Sequence, residues 1–283
     1  MFAIPIVVAR ALALSATATM LGFAPANATP FFFSTGDPDG RMAAASRPSS
    51  GGQFEIETGD DFALTTATTL TSATFTGLIP TGSTVNDVVI EIYRVFPNDS
   101  DTGRTPQVPT RVNSPSDVAF DSRDSAAANL SFTTNTLAAS FTASNSVAPG
   151  GIHPAPNQTT LGDGSVTGQE VEFDVNFSAL LLPADHYFFV PQVQLDTGDF
   201  LWLSAPRPIV PPGTAFPAGV TDLQAWTRDE FLDPDWLRIG TDIVGSSTFN
   251  MTFSLTGDVP EPASLLLFAV PLAALGWQRL RRP

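Results

Sequence analysis

The chain has 283 residues, which is enough for one large domain or two small ones. It carries 28 acidic residues and 13 arginines, and its net charge of −15 argues against binding to DNA, RNA or an anionic membrane surface. The sequence has no cysteine and no lysine, which excludes disulfides, thiol nucleophiles and Schiff-base chemistry.

The first segment of the chain is typical of an export signal. It contains one basic residue, Arg10, followed by an apolar run without acids. Ala26 and Ala28 then supply the small residues, two positions apart, that signal peptidase requires. The sequence therefore predicts a signal peptide in residues 1–28 that forms a helix, with a mature chain beginning at Thr29. A buried N-terminal helix is the alternative interpretation.

The body of the chain, residues 29–258, has the pattern of β-strands. Apolar and polar residues alternate strictly in Glu170–Phe177 and in Thr248–Thr256. Alternation with a period of two is typical of a strand with one buried and one wet face. In the first stretch the predicted buried face consists of Val171, Phe173, Val175 and Phe177. Further predicted strands are Phe62–Leu70, Ser72–Ile79, Val88–Phe96, Leu130–Leu137, His186–Leu195 and Phe200–Ser204.

Many short strands separated by turn-forming residues predict an all-β fold, a β-sandwich or jelly-roll-like ectodomain. Asp185–Tyr187, at the start of a predicted strand, resembles a tyrosine corner, in which a phenol closes the connection between two sheets. Two long segments, the polar Pro97–Ser125 and the proline-rich Ser204–Gly219, are predicted to be loops that are functional or mobile. Thr221–Gly240 is predicted to form short helical turns.

The body contains no motif that carries chemistry. The two histidines, His153 and His186, lack a second histidine at a zinc-ligand spacing, and no nucleophile elbow, P-loop or dinucleotide fingerprint occurs. Acid pairs such as Asp60 and Asp61 could serve a glycosidase only across a cleft. We therefore predict a protein that is not an enzyme, with no catalytic, cofactor-binding or metal-binding residues.

Structural calcium is an alternative to the absence of a cofactor. Acidic residues stand before a glycine in two turns, and clustered oxygens on a tight turn suit hard cations. Neither stretch completes the calcium-loop motif. The residues concerned are Asp37 and Asp39 before Gly40, and Asp99 and Asp101 before Gly103.

Two further patterns have competing interpretations. Trp202, Trp226 and Trp236 either stack on sugar rings at the surface or fill the core, as large apolar side chains usually do. Regular Thr-x-Thr spacing occurs on ice-binding surfaces, but the array in Leu64–Thr76 breaks register at Thr69. Threonine is also simply a good strand former, so we do not predict ice binding.

The chain ends in a pattern of three parts. The tripeptide Pro260-Glu261-Pro262 is followed by an apolar run, Ala263–Trp277, which is short for a transmembrane helix. Three arginines then follow, and they would hold the C-terminus on the cytoplasmic side of the membrane. The prolines keep the tripeptide extended, as a protease substrate should be. The arginines are Arg279, Arg281 and Arg282.

This tail, residues 259–283, resembles the PEP-CTERM sorting signal of Gram-negative bacteria, which is also catalogued as a C-terminal motif of ice-binding proteins. The resemblance implies recognition of Pro260, Glu261 and Pro262 by a membrane-embedded exosortase, after export and cleavage by signal peptidase. It also implies transient anchoring by a short transmembrane helix, and then a location at the cell surface or in the extracellular matrix. An ordinary membrane anchor is the alternative.

The family is associated with exopolysaccharide and biofilm matrix. The resemblance therefore implies a structural or adhesive role, with extracellular polysaccharide as a partner and no nucleic acid. A secreted carbohydrate-active enzyme or a sugar-binding module is the alternative function.

Overall fold

The segments in which apolar and polar residues alternate form β-strands. The computed structural model describes residues 28–153, 158–245 and 247–260. Within these ranges the helical elements are a 3-10 turn at Pro149–Gly151 and a π-helical turn at Ile239–Ile243. The strands are β1 (Thr29–Ser34), β2 (Met42–Ala45), β3 (Ile56–Leu64), β4 (Thr68–Ile79), β5 (Val85–Arg94), β6 (Asp121–Asp124), β7 (Leu130–Ala143), β8 (Asn145–Val147), β9 (Val166–Leu182), β10 (Asp185–Leu195), β11 (Leu201–Ala205), β12 (Trp226–Asp229), β13 (Leu237–Arg238), β14 (Asn250–Met251) and β15 (Phe253–Val259).

The strands form two sheets. The large sheet has nine strands in the order β1-β15-β4-β11-β2-β8, with β9 between β4 and β7 and with β14 beside β11. The small sheet has six strands in the order β13-β12-β3-β10-β5-β6. Named strands pair antiparallel, except that β2 and β8 are parallel. The predicted all-β class is therefore confirmed.

The apolar faces of the two sheets meet in one core. The ring of Phe189 on β10 stacks 5.1 Å from that of Phe253 on β15 and lies 6.3 Å from Phe75 on β4. The four residues of the face predicted for Glu170–Phe177 are all buried, and Phe173 stacks on Phe75 at 4.8 Å. This confirms the buried face predicted in β9.

The connection between β9 and β10 crosses from the large sheet to the small one. At this crossing the hydroxyl of Tyr187 donates a hydrogen bond of 3.0 Å to the carbonyl oxygen of Pro183, four residues earlier. Its ring stacks on Phe62 of β3 at 5.5 Å. The predicted tyrosine corner is therefore confirmed.

Most residues of β3, β10 and β12 in the small sheet are buried on both faces. The outer face of this sheet carries a second apolar cluster, which the segment Pro97–Ser125 covers in part. The indole of Trp236 donates to the carbonyl oxygen of Ser116 at 3.2 Å. Arginines of the segment form ion pairs that fasten it to the body. The cluster consists of Tyr93, Phe188, Val190, Leu223, Trp226 and Trp236, and the ion pairs join Arg104 and Arg111 to Asp117 and Asp235.

Four local predictions are wrong. The predicted loop Pro97–Ser125 contains strand β6, Asp121–Asp124, which pairs with β5. Phe62–Leu70 is divided between β3 and β4 by an exposed turn at residues 65–67. Thr248–Thr256 is interrupted at Thr252, because β14 pairs with β11 whereas β15 pairs with β4. Thr221–Gly240 contributes β12 and β13 instead of helical turns, and the π-helical turn begins only at Ile239.

The two helices predicted at the ends of the chain lie outside the residues that the structure describes. Across the described ranges, the structure has no helix with the length and apolarity needed to cross a bilayer. The helix predicted for the signal peptide and the short span Ala263–Trp277 lie outside the described residues.

Candidate functional site

The wet face of the large sheet carries rows of polar side chains that cross several strands. One row runs over β7, β9, β4, β15 and β1 as Thr133, Asp174, Thr74, Ser254 and Ser34, which are neighbours in register. The hydroxyls of Thr74 and Ser254 are hydrogen-bonded at 2.6 Å. These residues point outward because the alternation of each strand directs its apolar residues into the core.

A groove of about 240 Å³ lies on this face. Thr74, Thr76 and Ser254 form part of its floor, and Phe32 stands at the side with 57% of its surface exposed. Leu137 of β7 also lines the groove. An exposed aromatic ring beside a hydroxyl-rich floor offers an apolar contact and hydrogen-bonding groups to the same ligand.

The loop after β1 forms one wall of the groove. Gly36 has a φ of +99°, a conformation that favours glycine, and the chain turns there toward Asp37 and Pro38. The hydroxyl of Thr35 fixes the exit from β1 by donating to the carbonyl oxygen of Met251 at 2.6 Å. The proline-rich segment packs beside this loop and adds Pro212 to the lining.

The groove is acidic. Its lining includes the carboxyl groups of Asp37 and Glu172 and no basic side chain among the described residues. Burial raises the pKa of Glu172, and the charges of Asp174 and Asp37 raise it further. A carboxyl group in this position is stabilised by a cationic partner or by protonation.

No protein-family model, curated protein or solved structure matches this chain. The function must therefore be argued from the residues of the groove and from the other charged clusters.

A buried cluster occupies the outer face of the small sheet. Arg228 donates to Glu57 from Nε and from Nη2, and the Tyr93 hydroxyl lies within hydrogen-bonding distance of both Glu57 and Glu91. Burial, followed by the charge of Glu57, raises the pKa of Glu91 to about 8. Glycoside hydrolysis needs a sugar between two carboxyls. Here the tyrosine oxygen bridges the pair and leaves no such gap.

A second cavity, of about 410 Å³, is lined by His186. Nε2 of His186 lies 2.5 Å from Oδ2 of the buried Asp61. The other oxygen of this carboxyl group, Oδ1, accepts a hydrogen bond of 3.0 Å from the backbone N–H of Leu223. A carboxylate that orients an imidazole is part of a hydrolytic triad, but the described lining offers the hydroxyls of Thr65 and Thr221 and no serine. Asp61 thereby joins Leu223, which follows the proline-rich segment, to β3 of the small sheet.

Neighbouring acids share this buried environment. Burial, followed by the charge of Asp61, raises the pKa of Asp60 well above its usual value. The same two causes raise the pKa of Asp222 to about 6. Asp60 accepts the backbone N–H of Met251 at 2.8 Å. This contact joins β3 to β14 across the core.

The tryptophans and the candidate calcium turns have local structural roles. Trp202, Trp226 and Trp236 are buried, so they fill the cores and do not form a sugar-stacking surface. Asp39 and Asp101 accept backbone N–H groups within their own turns, at 3.0 and 2.9 Å. Within the ranges that the structure describes, no group of three or more His, Asp or Glu side chains could hold a metal ion.

Few of the predicted processing residues are described. Ala28 and Pro260 are exposed and lie at the two ends of the body. The partner residue of the signal cleavage site, Ala26, lies outside the described residues. So do the rest of the sorting signal, Glu261, Pro262, Arg279, Arg281 and Arg282.

The groove was not predicted from the sequence. Its residues are separated by up to about 220 positions and meet only through strand register. The alternation in Glu170–Phe177 did predict that Glu172 points away from the core. It could not show that Phe32 and Asp37 stand on the same face.

Proposed function

We propose that this chain is an exported protein of the bacterial envelope that binds polysaccharide in the extracellular matrix through the groove. The observation that carries the proposal is the exposed ring of Phe32 beside the hydroxyls of Thr74, Thr76 and Ser254. An aromatic face can cover the apolar side of a sugar ring, and the neighbouring hydroxyls and carboxylates can bond to its hydroxyl groups. This combination supports an adhesive role.

The proposal also assigns roles to the ectodomain, the signal peptide and the C-terminal sorting signal. Residues 29–258 form a β-sandwich of jelly-roll type that serves as the ectodomain. Signal peptidase acts after Ala28, and exosortase acts at the sorting signal, residues 259–283. The short C-terminal helix anchors the protein in the membrane until it is released to the surface or matrix. Both cuts would leave the pairing of β1 with β15 intact.

The direct test measures binding of the full-length protein, purified in mild detergent, to polysaccharide from the producing cells. Phe32→Ala should weaken binding about tenfold, because an aromatic contact is lost. Phe231→Ala is the matched control, since Phe231 is 59% exposed but follows β12 of the small sheet. Equal binding by the wild type and Phe32→Ala would contradict the proposed site.

A carbohydrate-active enzyme is the second candidate, favoured by one observation. Asp37 and Glu172 line the same groove, and the raised pKa of Glu172 suits a general acid. An enzyme of this kind would release new reducing ends from the matrix polysaccharide, and Glu172→Gln would abolish the release. Binding without release of reducing ends would support the adhesive role.

A further inference from the structure

The charge of the groove indicates which class of polysaccharide it can bind, and this step rests on the proposed function. The described lining contains Asp37 and Glu172, and Asp174 is close enough to affect Glu172. Arg41, on the same loop, lies 3.6 Å from Asp39 and is not part of the lining. A ligand in the groove therefore meets uncompensated negative charge.

We propose that the ligand is a cationic glycan, a hexosamine polymer that carries free amino groups. A sugar ring against Phe32 would place its hydroxyls over Thr74 and Ser254, with an ammonium group beside Glu172 or Asp37. Charge-assisted hydrogen bonds of this type are stronger than those between neutral groups. The pairing would also offset the burial of the Glu172 carboxylate.

The charge of the whole body points to the same class. Residues 29–261 contain all 28 acidic residues of the chain and nine of its arginines, a net charge of −19. A polymer of uronic acids would be repelled by this surface, whereas a polymer with amino groups would be attracted. A neutral glucan could form no ion pair with Asp37 or Glu172, so these carboxyl groups would not favour it over a cationic glycan.

An N-acetyl group would change both charge and size. Acetylation removes the positive charge from the sugar nitrogen and adds bulk in a groove of about 240 Å³. The free amine is therefore expected to bind better than the acetylated sugar. The difference should shrink as salt rises, because the groove is open to solvent and exposed charges are screened.

The experiment measures binding of the full-length protein to four oligosaccharides of equal length. These are a glucosamine oligomer, its N-acetylated form, a neutral glucose oligomer and a uronic acid oligomer. The glucosamine oligomer should bind most tightly, and its affinity should fall between about 50 and about 500 mM NaCl. Asp37→Asn and Glu172→Gln should each weaken its binding about two- to fivefold, as expected for one exposed ion pair.

Matched variants and sugars separate the possible outcomes. Glu230→Gln removes an exposed acid outside the groove and should leave binding unchanged. If the neutral, acetylated or uronic acid oligomers bind as well as the glucosamine oligomer, the cationic ligand is refuted while the proposed polysaccharide binding stands. If no oligosaccharide binds and Phe32→Ala also leaves matrix binding unchanged, the proposed function itself fails.

Discussion

Thr29 and Val259 are direct partners in the large sheet, because β1 pairs antiparallel with β15 over the full length of β1. The first residue expected in the mature chain and the last residue before Pro260 therefore lie side by side at the same end of the two strands. Pro260 cannot donate a backbone hydrogen bond, so it does not prolong the ladder. The two predicted processing regions flank a paired strand end, and cutting at either one would leave the ladder complete.

The first prediction concerns release from the membrane. Changing Pro260, Glu261 and Pro262 together to alanine should leave export intact but make uncut protein accumulate in the membrane fraction. The reason is that an extended tripeptide outside the membrane is the expected protease substrate. Fractionation with an antibody to the body provides the measurement.

The control for this prediction is Asp258→Ala, which removes an exposed acid two residues before Pro260. It should be released like the wild type. Deletion of Arg279–Pro283 should instead disturb orientation or retention before cleavage. If the triple variant reaches the medium as efficiently as the wild type, the sorting hypothesis fails.

The second prediction concerns the N-terminus. The exported protein should begin at Thr29, because cleavage after Ala28 satisfies the small-residue requirement and leaves β1 whole. Mass-spectrometric sequencing of the exported form would test this. Ala28→Leu should slow cleavage and retain the precursor in the membrane. An exported protein that still begins at Met1 would refute the signal peptide.

Two features of the fold were predicted correctly from short stretches of sequence. Val171 and Phe173 identified the buried face of β9, and Tyr187 identified the crossing between the sheets. Both features are local, so a few neighbouring residues carry the signal. The turn at residues 65–67 was missed because it contains threonine and alanine instead of glycine or proline.

The sites could not be predicted because they depend on pairing between distant segments. Asp61 and His186 are 125 positions apart and meet because β3 pairs with β10. Glu57 and Arg228 meet in the same way through β3 and β12. Alternation indicates which side of a strand a residue occupies, but it does not indicate the neighbouring strand or its register.

The third prediction concerns the core face of β9. Phe173→Asp should lower the free energy of unfolding by about 3–5 kcal/mol or more, because it leaves a cavity and an unpaired buried charge. Phe173 stacks on Phe75 and packs edge-on against Phe200 at 5.3 Å. Glu172→Gln, on the wet face, should change stability by less than about 0.5 kcal/mol. If both variants lost comparable stability in thermal unfolding, β9 would not have one buried and one solvent-exposed face.

The last prediction concerns the pH dependence of stability and begins from two neighbouring carboxyl groups, the buried Glu57 and the partly buried Glu91. The pKa of Glu91 is raised from 4.5 to about 8, first by burial and then by the charge of Glu57. Between these two values the folded protein keeps a proton that the unfolded chain releases. The free energy of unfolding should therefore fall as pH rises from about 4.5 to about 8, by an amount on the order of a few kcal/mol.

The substitution Glu91→Gln removes this titration but keeps a group that can donate a hydrogen bond toward Tyr93 or Glu57. The variant should unfold with a flatter pH dependence and should be more stable than the wild type near pH 8, because it cannot acquire the second buried negative charge. Asp258→Asn, at an exposed position on β15 of the large sheet, is the control and should keep the wild-type slope. Chemical denaturation at several pH values measures both. An unchanged slope in Glu91→Gln would show that Glu91 is already ionised in the folded protein at neutral pH.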